Sequence, residues 1–280
     1  MEKMDRKNMK LVWRDDLISL YCVSVDTTKR PLFHMNGQME HHIQAIETAT
    51  KATEGSCYQY SMYWNMYPEF TQYIAVFDYK IFRNDKQNIN TTNFSLSVMR
   101  AIEELALEDV VFTGQSVGAM VGMRSAISDR VSQVIAIHPP ILSSPLVNAE
   151  LLKEKKDLLS KKQNLIRLFL ANKFFFNPAF GFQQENKNGY VGLDDNKIHD
   201  KSLIVGSAID QTHKDKFAAG LSALIYNTTG LQSDGVVVWE PKKLIENGFS
   251  IAEDESPMSH FQMASSTEYT DTVLKNYIKR

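Results

Sequence analysis

The chain is expected to adopt an α/β fold, a predominantly parallel sheet flanked by helices, and three observations predict it. Short apolar and β-branched runs alternate along the chain with segments of helical periodicity. Residues 110–113, Val-Val-Phe-Thr, form an apolar run without alternation, as in a strand buried on both faces. That run passes directly through Gly114-Gln115-Ser116-Val117-Gly118 into a helical pattern of small and apolar residues. A strand, a tight turn and a helix therefore follow one another without a linker.

Read in order, residues 17–25 predict an early strand, antiparallel and near an edge. Residues 31–35 predict a short strand that breaks at Asn36-Gly37, a turn dipeptide. Ile43, Ile46 and Ala49 share one face of a helix expected over 40–51. The aromatic and β-branched stretches 58–64 and 73–77 are strand candidates. Thr91 or Thr92 is expected to cap a helix reaching about Leu107, with Phe94, Val98, Ile102 and Leu105 on its buried stripe. A helix over 119–127 and a strand over 131–137, stopped by Pro139-Pro140, complete the first half.

The character changes between about 141 and 201. A charged amphipathic helix over 153–170 is followed by an aromatic stretch with Phe174, Phe175, Phe176, Phe180 and Phe182, and then by a polar, loop-like segment over 183–200. This reads as a helical, lid-like insert over one end of the sheet within a single domain spanning 1–280. The alternation resumes with a strand at 202–205, a helix at 240–246, a strand at 249–252 and a terminal helix at 269–278.

Composition bounds the function. With 280 residues, 43% hydrophobic and 23% charged, the chain can bury a large core. Lys plus Arg is 31 against 33 for Asp plus Glu, a formal charge of -2, so a nucleic-acid partner is not expected. The basic opening between Lys3 and Lys10 reads as a solvated tail. Two cysteines, Cys22 and Cys57, are too few for a disulfide framework and lack metal-ligand spacing. Acidic residues Glu2, Asp5, Asp15 and Asp16 interrupt any signal-peptide pattern, and no apolar run approaches the ~20 residues of a membrane span. A cytoplasmic location is expected.

The Gly-Gln-Ser-Val-Gly segment carries the chemistry. A serine at a sharp strand-to-helix turn needs neighbours without bulk, which Gly114 and Gly118 provide, while Ala119 allows close packing of the helix. The helix N-terminus behind Ser116 favours developing negative charge. A phosphate-binding turn is the alternative, but neither a phosphate-binding lysine nor a Gly-x-Gly-x-x-Gly pattern accompanies it.

A nucleophilic serine requires a general base and an acid that orients it. His34, His41 and His42 precede Ser116; His138, His199, His213 and His260 follow it. His138 ends the strand after the helix that follows Ser116 and is placed to line a pocket, but no acid separates it from the serine. His199 falls in the polar insert, and His213 lies just beyond Asp210. His260, after the expected last strand, is the base candidate. Asp210 and Asp234 compete as the acid; the interval from Asp234 to His260 holds one helix and one strand.

Ser233-Asp234-Gly235-Val236-Val237 resembles the acid motif of bacterial lipase- and esterase-like α/β-hydrolases. With Gly114-Gln115-Ser116-Val117-Gly118 and His260, the resemblance spans roughly residues 31–278. It departs in two places: Val238-Trp239 stands where a proline usually follows, and Asn36-Gly37 replaces the usual His-Gly after the early strand. The resemblance implies a Ser116–Asp234–His260 triad, with Asp210 the alternative acid. The backbone N–H groups of Val117 and Gln38, or less favourably Asn36, would form the oxyanion hole. It implies a serine hydrolase acting on a small carboxylic ester or thioester without metal or organic cofactor. The alternatives are a non-catalytic binding relative and an acyltransferase using the same residues.

Overall fold

The computed structural model describes residues 10–22, 26–35, 37, 69–77, 90–147, 161, 185, 192–253, 257–265 and 275–278. Among these, eight strands make one sheet: β1 (Lys10–Arg14), β2 (Ile18–Cys22), β3 (Arg30–Met35), β4 (Phe70–Phe77), β5 (Val110–Gln115), β6 (Val131–Ile137), β7 (Ser202–Gly206) and β8 (Ser250–Glu253). Their order is β1-β2-β4-β3-β5-β6-β7-β8. β1 and β2 pair antiparallel, and β2 joins β4 antiparallel; every pairing from β4 to β8 is parallel. The architecture is the expected predominantly parallel α/β sheet. β1 is an additional strand that forms the edge outside the one expected over 17–25, and Lys10 begins it instead of closing a solvated tail.

Parallel strands in the middle of a sheet are covered on both faces, and β5 shows why its sequence does not alternate. Val110 and Phe112 enter one apolar cluster with Phe33, Met35, Phe94, Val98, Ile102 and Met120. Val111 points to the other, with Leu32, Ile135, Ile137, Val205 and Met263. Phe112 is fully buried, which contributes roughly 1.5–3 kcal/mol over an exposed phenyl ring. Leu146, Leu221, Leu224, Ile225 and Val238 form a third cluster.

The helices are α1 (Thr91–Glu104), α2 (Val117–Ser125), α3 (Asn196–Lys201), α4 (Lys216–Thr229), α5 (Pro241–Glu246) and α6 (His260–Ser265). The cap of α1 is Asn90, whose side chain accepts from the Asn93 N–H. Thr91, expected to cap, is instead engaged by Glu185, which accepts from its N–H and hydroxyl, and by the guanidinium of Arg124, which donates to that hydroxyl. Helix α3 lies within the stretch expected to be a loop; Asp195 caps it by accepting from the Lys197 N–H. Helix α4 was not anticipated, although both its ends are written in the sequence. The Asp215 side chain accepts from the Ala218 N–H, and Gly230 closes the helix at φ 74°.

The expected helix over 40–51, the strand over 58–64, the helix over 153–170 apart from Lys161 and the aromatic stretch 174–182 lie outside the described residues, as does most of the expected insert. Cys22 is buried, whereas Cys57 lies outside the described residues. Among the described residues no helix is long and apolar enough to cross a membrane.

Candidate active site

The junction between β5 and α2 is shaped by what its glycines lack. A Cβ on Gly114 would come within 2.5 Å of the Gly118 carbonyl oxygen and 2.7 Å of the Ala119 nitrogen, both main-chain atoms that have nowhere to go. One helical turn on, a Cβ on Gly122 would meet the Phe112 ring at 2.4 Å, so α2 lies directly against its own strand. Between the two elements Ser116 has φ 55° and ψ -124°. That conformation costs a non-glycine residue roughly 1–3 kcal/mol and persists only where its surroundings over-determine it. The Ser116 N–H donates to the Ile137 carbonyl at 2.9 Å, and the serine stays partly accessible at the first turn of α2.

Two further segments close on this turn. Gly37, just past β3, lies so near that a Cβ there would stand 2.9 Å from the Ser116 Cβ and 3.4 Å from its Oγ. Gln115, the residue before the serine, donates its side-chain amide to the His260 carbonyl at 3.0 Å. The start of α6 is thereby fixed to the end of β5.

Asp234 sits in a tight loop after α4, with Gly235 at φ 100° and its own N–H donating to the Val237 carbonyl. It is completely buried, and an unpaired carboxylate there would cost several kcal/mol. Its partners account for both oxygens. Oδ1 accepts from the N–H groups of Val236 (2.8 Å) and Val237 (2.7 Å). Oδ2 accepts from Nδ1 of His260 at 2.6 Å and from Nδ1 of His138 at 2.7 Å. Burial alone would raise the Asp234 pKa, but the electrostatic attraction of His260 and His138 and the hydrogen bonds they donate outweigh it and hold the carboxyl well below its usual range.

The backbone strengthens this pairing, since the His260 N–H donates to the Asp234 carbonyl at 3.0 Å. Before it, the Ser259 hydroxyl donates to Asp215 at 2.6 Å, tying the loop to the cap of α4. Because a carboxylate only accepts, the His260 proton is on Nδ1, which leaves Nε2 as the acceptor nitrogen of the neutral ring.

His138, Asp234 and His260 present ligand atoms within 4.8 Å of one another, the one such metal-competent group among the described residues. The contacts to Oδ2, at 2.6 and 2.7 Å, are hydrogen-bond lengths. Ligand atoms sharing a tetrahedral zinc at ~2.0–2.1 Å would stand about 3.3 Å apart. The group therefore reads as a hydrogen-bonded His–Asp–His array.

The sequence matches no known family profile and no curated protein. Solved structures do superpose on almost the whole chain. An α/β-hydrolase enzyme from the metagenome of sediments of the Mar Chica lagoon, Morocco, is similar with a TM-score of 0.50 at 10% identity, over 96% of this chain and 97% of that one. The mature lipase BlEst2 of Bacillus licheniformis is similar with a TM-score of 0.50 at 15% identity, over 90% of this chain and 92% of that one. The fold is that of the α/β-hydrolases.

Within this α/β-hydrolase fold, Asp210 takes a different place from Asp234. It is exposed, and its Oδ1 accepts from the N–H and hydroxyl of Thr212, both at 2.7 Å. It lines a cleft of about 560 Å³ with His213, Tyr226 and Gln232, whose walls include none of Ser116, Asp234 and His260. Of the other histidines, His34 is buried against the Thr113 hydroxyl, His199 contacts the Leu193 carbonyl and His213 the Pro257 carbonyl. Val117 is the first residue of α2, whereas Asn36 and Gln38 lie outside the described residues.

Two residues escaped the sequence reading. Gly37 was read as a turn former, yet the structure shows a close approach to Ser116. His138 is expected to line a pocket but not to serve as the base, because no acid separates it from the serine; the structure brings Asp234 to it across the end of the sheet. Its signal was only its position directly after β6.

Proposed function

We propose that the protein is a serine hydrolase in which Ser116 is the nucleophile, His260 the general base and Asp234 the acid that orients it. The observation that carries this reading is the buried 2.6 Å contact between Asp234 Oδ2 and His260 Nδ1. Its weight comes from the Gln115 amide, which ties the same histidine to the residue preceding the strained serine. That one superposed structure is a lipase supports the choice of acyl esters as the substrate class.

In this mechanism Ser116 Oγ attacks an acyl carbonyl as His260 Nε2 accepts its proton. Asp234 stabilises the resulting imidazolium through Nδ1–H. The N–H of Val117, at the positive end of α2, faces the developing oxyanion; Gln38, or Asn36 in second place, supplies another donor from the loop that Gly37 brings against the serine. Each such donor is worth about 3 kcal/mol in the transition state. His260 then protonates the leaving alcohol or thiol, and water, deprotonated by the same imidazole, releases the acid. The substrate is a small carboxylic ester or thioester, and no step calls for a metal or organic cofactor.

A fluorophosphonate probe tests the reading, because it phosphonylates only activated serines. Mass spectrometry should find the label on Ser116, and Ser116→Ala and His260→Ala should abolish it. A folded wild-type protein that takes up no label would overturn the proposal.

A further inference from the structure

The mechanism gives no task to His138, although this buried side chain touches the acid directly. His138 is 1% exposed and sits directly after β6, with its Nδ1 2.7 Å from Asp234 Oδ2. Of the five non-glycine residues at positive φ among those described, it alone is buried, with φ 45°. Such strain is retained where a side chain must be aimed.

Both ring nitrogens have defined partners. Nε2 accepts the Ser207 N–H at 3.0 Å, so it carries no proton. The neutral ring must then hold its proton on Nδ1, which donates to Asp234 Oδ2 at 2.7 Å. Protonating Nε2 would set two N–H groups against each other. Trp239 stacks on the ring, with centroids 5.7 Å apart and planes 25° apart. The indole also fills the space over Gly206, where a Cβ would meet it at 2.5 Å. The tryptophan that departs from the usual acid motif thus holds this histidine in place.

We propose that His138 is a positioning residue for the acid–base pair: its Nδ1–H, fixed by the Ser207 N–H, aligns Asp234 Oδ2 with His260 and shares the charge of that oxygen. This rests on reading Ser116, Asp234 and His260 as a triad. A second donor on Oδ2 weakens the pull of the carboxylate on the His260 proton. Without it Asp234 binds the imidazolium more strongly, and the base becomes protonated at higher pH. The carboxyl, buried with one donor fewer, also takes up its own proton sooner. Both effects remove activity from the acid side. The other ionisable groups bordering the cluster are Asp215, reached through Ser259; His213, whose Nδ1 accepts the Asp215 N–H; and Glu253, which accepts from the Trp239 indole. They are unchanged by substitution at position 138.

The experiment is the rate of fluorophosphonate labelling of Ser116 against pH, in wild type, His138→Phe and His138→Asn. Phenylalanine keeps the ring stacked on Trp239 but donates nothing. Asparagine tolerates positive φ and places an amide donor near the former Nδ1. The Phe variant should lose about tenfold in plateau rate, the scale of one hydrogen bond to a charged group. Its acid limb should also move up by about half to one pH unit. The Asn variant should recover most of both. An acid limb unmoved in folded His138→Phe, with wild type labelled normally, would overturn the role of His138 and leave the triad standing. Failure of wild type to label would instead overturn the triad. Should the Phe variant not fold, nitrogen-15 NMR of histidine-labelled wild type decides: His138 should keep its Nδ1–H tautomer from about pH 5 to 8. An Nε2–H tautomer, or a ring that titrates in that range, would sink the inference.

Discussion

At the elbow, Ser116 is held by the main chain: a left-handed backbone, a hydrogen bond from its N–H to Ile137, and glycines at 37, 114 and 122 that let strand, loop and helix close on it. At the acid loop, Asp234 is held by hydrogen bonds from side chains and backbone in three separate segments, around residues 138, 236 and 260. One region is a steric device and the other an electrostatic one. The first fails when atoms are added, the second when donors or charge are removed. Substitutions should therefore damage the two regions by different routes, one through stability and the other through the pH dependence and rate of the chemistry.

The largest effect is expected from Asp234→Asn, which keeps the shape of the acid but removes its charge and can stabilise the wrong His260 tautomer. Labelling of Ser116 should slow by roughly 10³–10⁴-fold, measured as the second-order rate of inactivation by the probe. A loss smaller than tenfold would mean that another acid serves His260.

Gly114→Ala breaks the steric side. The added methyl group meets the carbonyl of Gly118 and the nitrogen of Ala119, which cannot rotate away. A loss of about 2–4 kcal/mol in urea unfolding is expected, with activity per folded molecule also reduced. The contrast with Gly37→Ala sharpens the point. There the new methyl meets the Ser116 Cβ at 2.9 Å, at a loop beside that serine. It should cost about tenfold in labelling rate, on the scale of a lost oxyanion donor or a displaced Oγ, with a smaller change in urea midpoint.

The electrostatic side has its own signature with pH. Because the Asp234 pKa is depressed in the folded protein, the unfolded chain binds this proton first as pH falls. The stability it contributes is fully present above the unfolded carboxyl value, near 3.8, and drains away as pH falls toward the folded one. Urea midpoints measured from pH 7 to pH 3 should fall in wild type and flatten in Asp234→Asn. Equal slopes would show that the carboxylate is not linked to folding.

Asp210→Asn should do least. Its carboxylate is exposed and occupied by Thr212, so the labelling rate should stay within about twofold of wild type and the urea midpoint should not move. A loss comparable to that of Asp234→Asn would reverse the assignment of the acid.

Much of the parallel half of the sheet is legible because its signals are local. Val110-Val-Phe-Thr has no alternation, and β5 is buried on both faces; residues 131–137 form β6 at the expected bounds. The helix and strand expected between Asp234 and His260 exist as α5 and β8. Other elements were misread for equally local reasons. A polar composition concealed α3, a short helix that buries chiefly Ile198. Thr91 looked like a cap, yet Asn90 competes for the same N–H groups and wins, while Thr91 turns to Glu185 and Arg124.

By itself, the sequence determined the fold class and the elbow, because hydrophobic period and the steric needs of Gly-x-Ser-x-Gly act over a few residues. Only the tertiary structure decided how the charge of Asp234 is shared. Residues 138, 234 and 260 are far apart along the chain, and a hydrogen bond of 2.6 or 2.7 Å depends on where three strand ends and a loop converge. Between Asp210 and Asp234, burial made the difference: one carboxylate keeps its water, and the other must be satisfied by the protein around it.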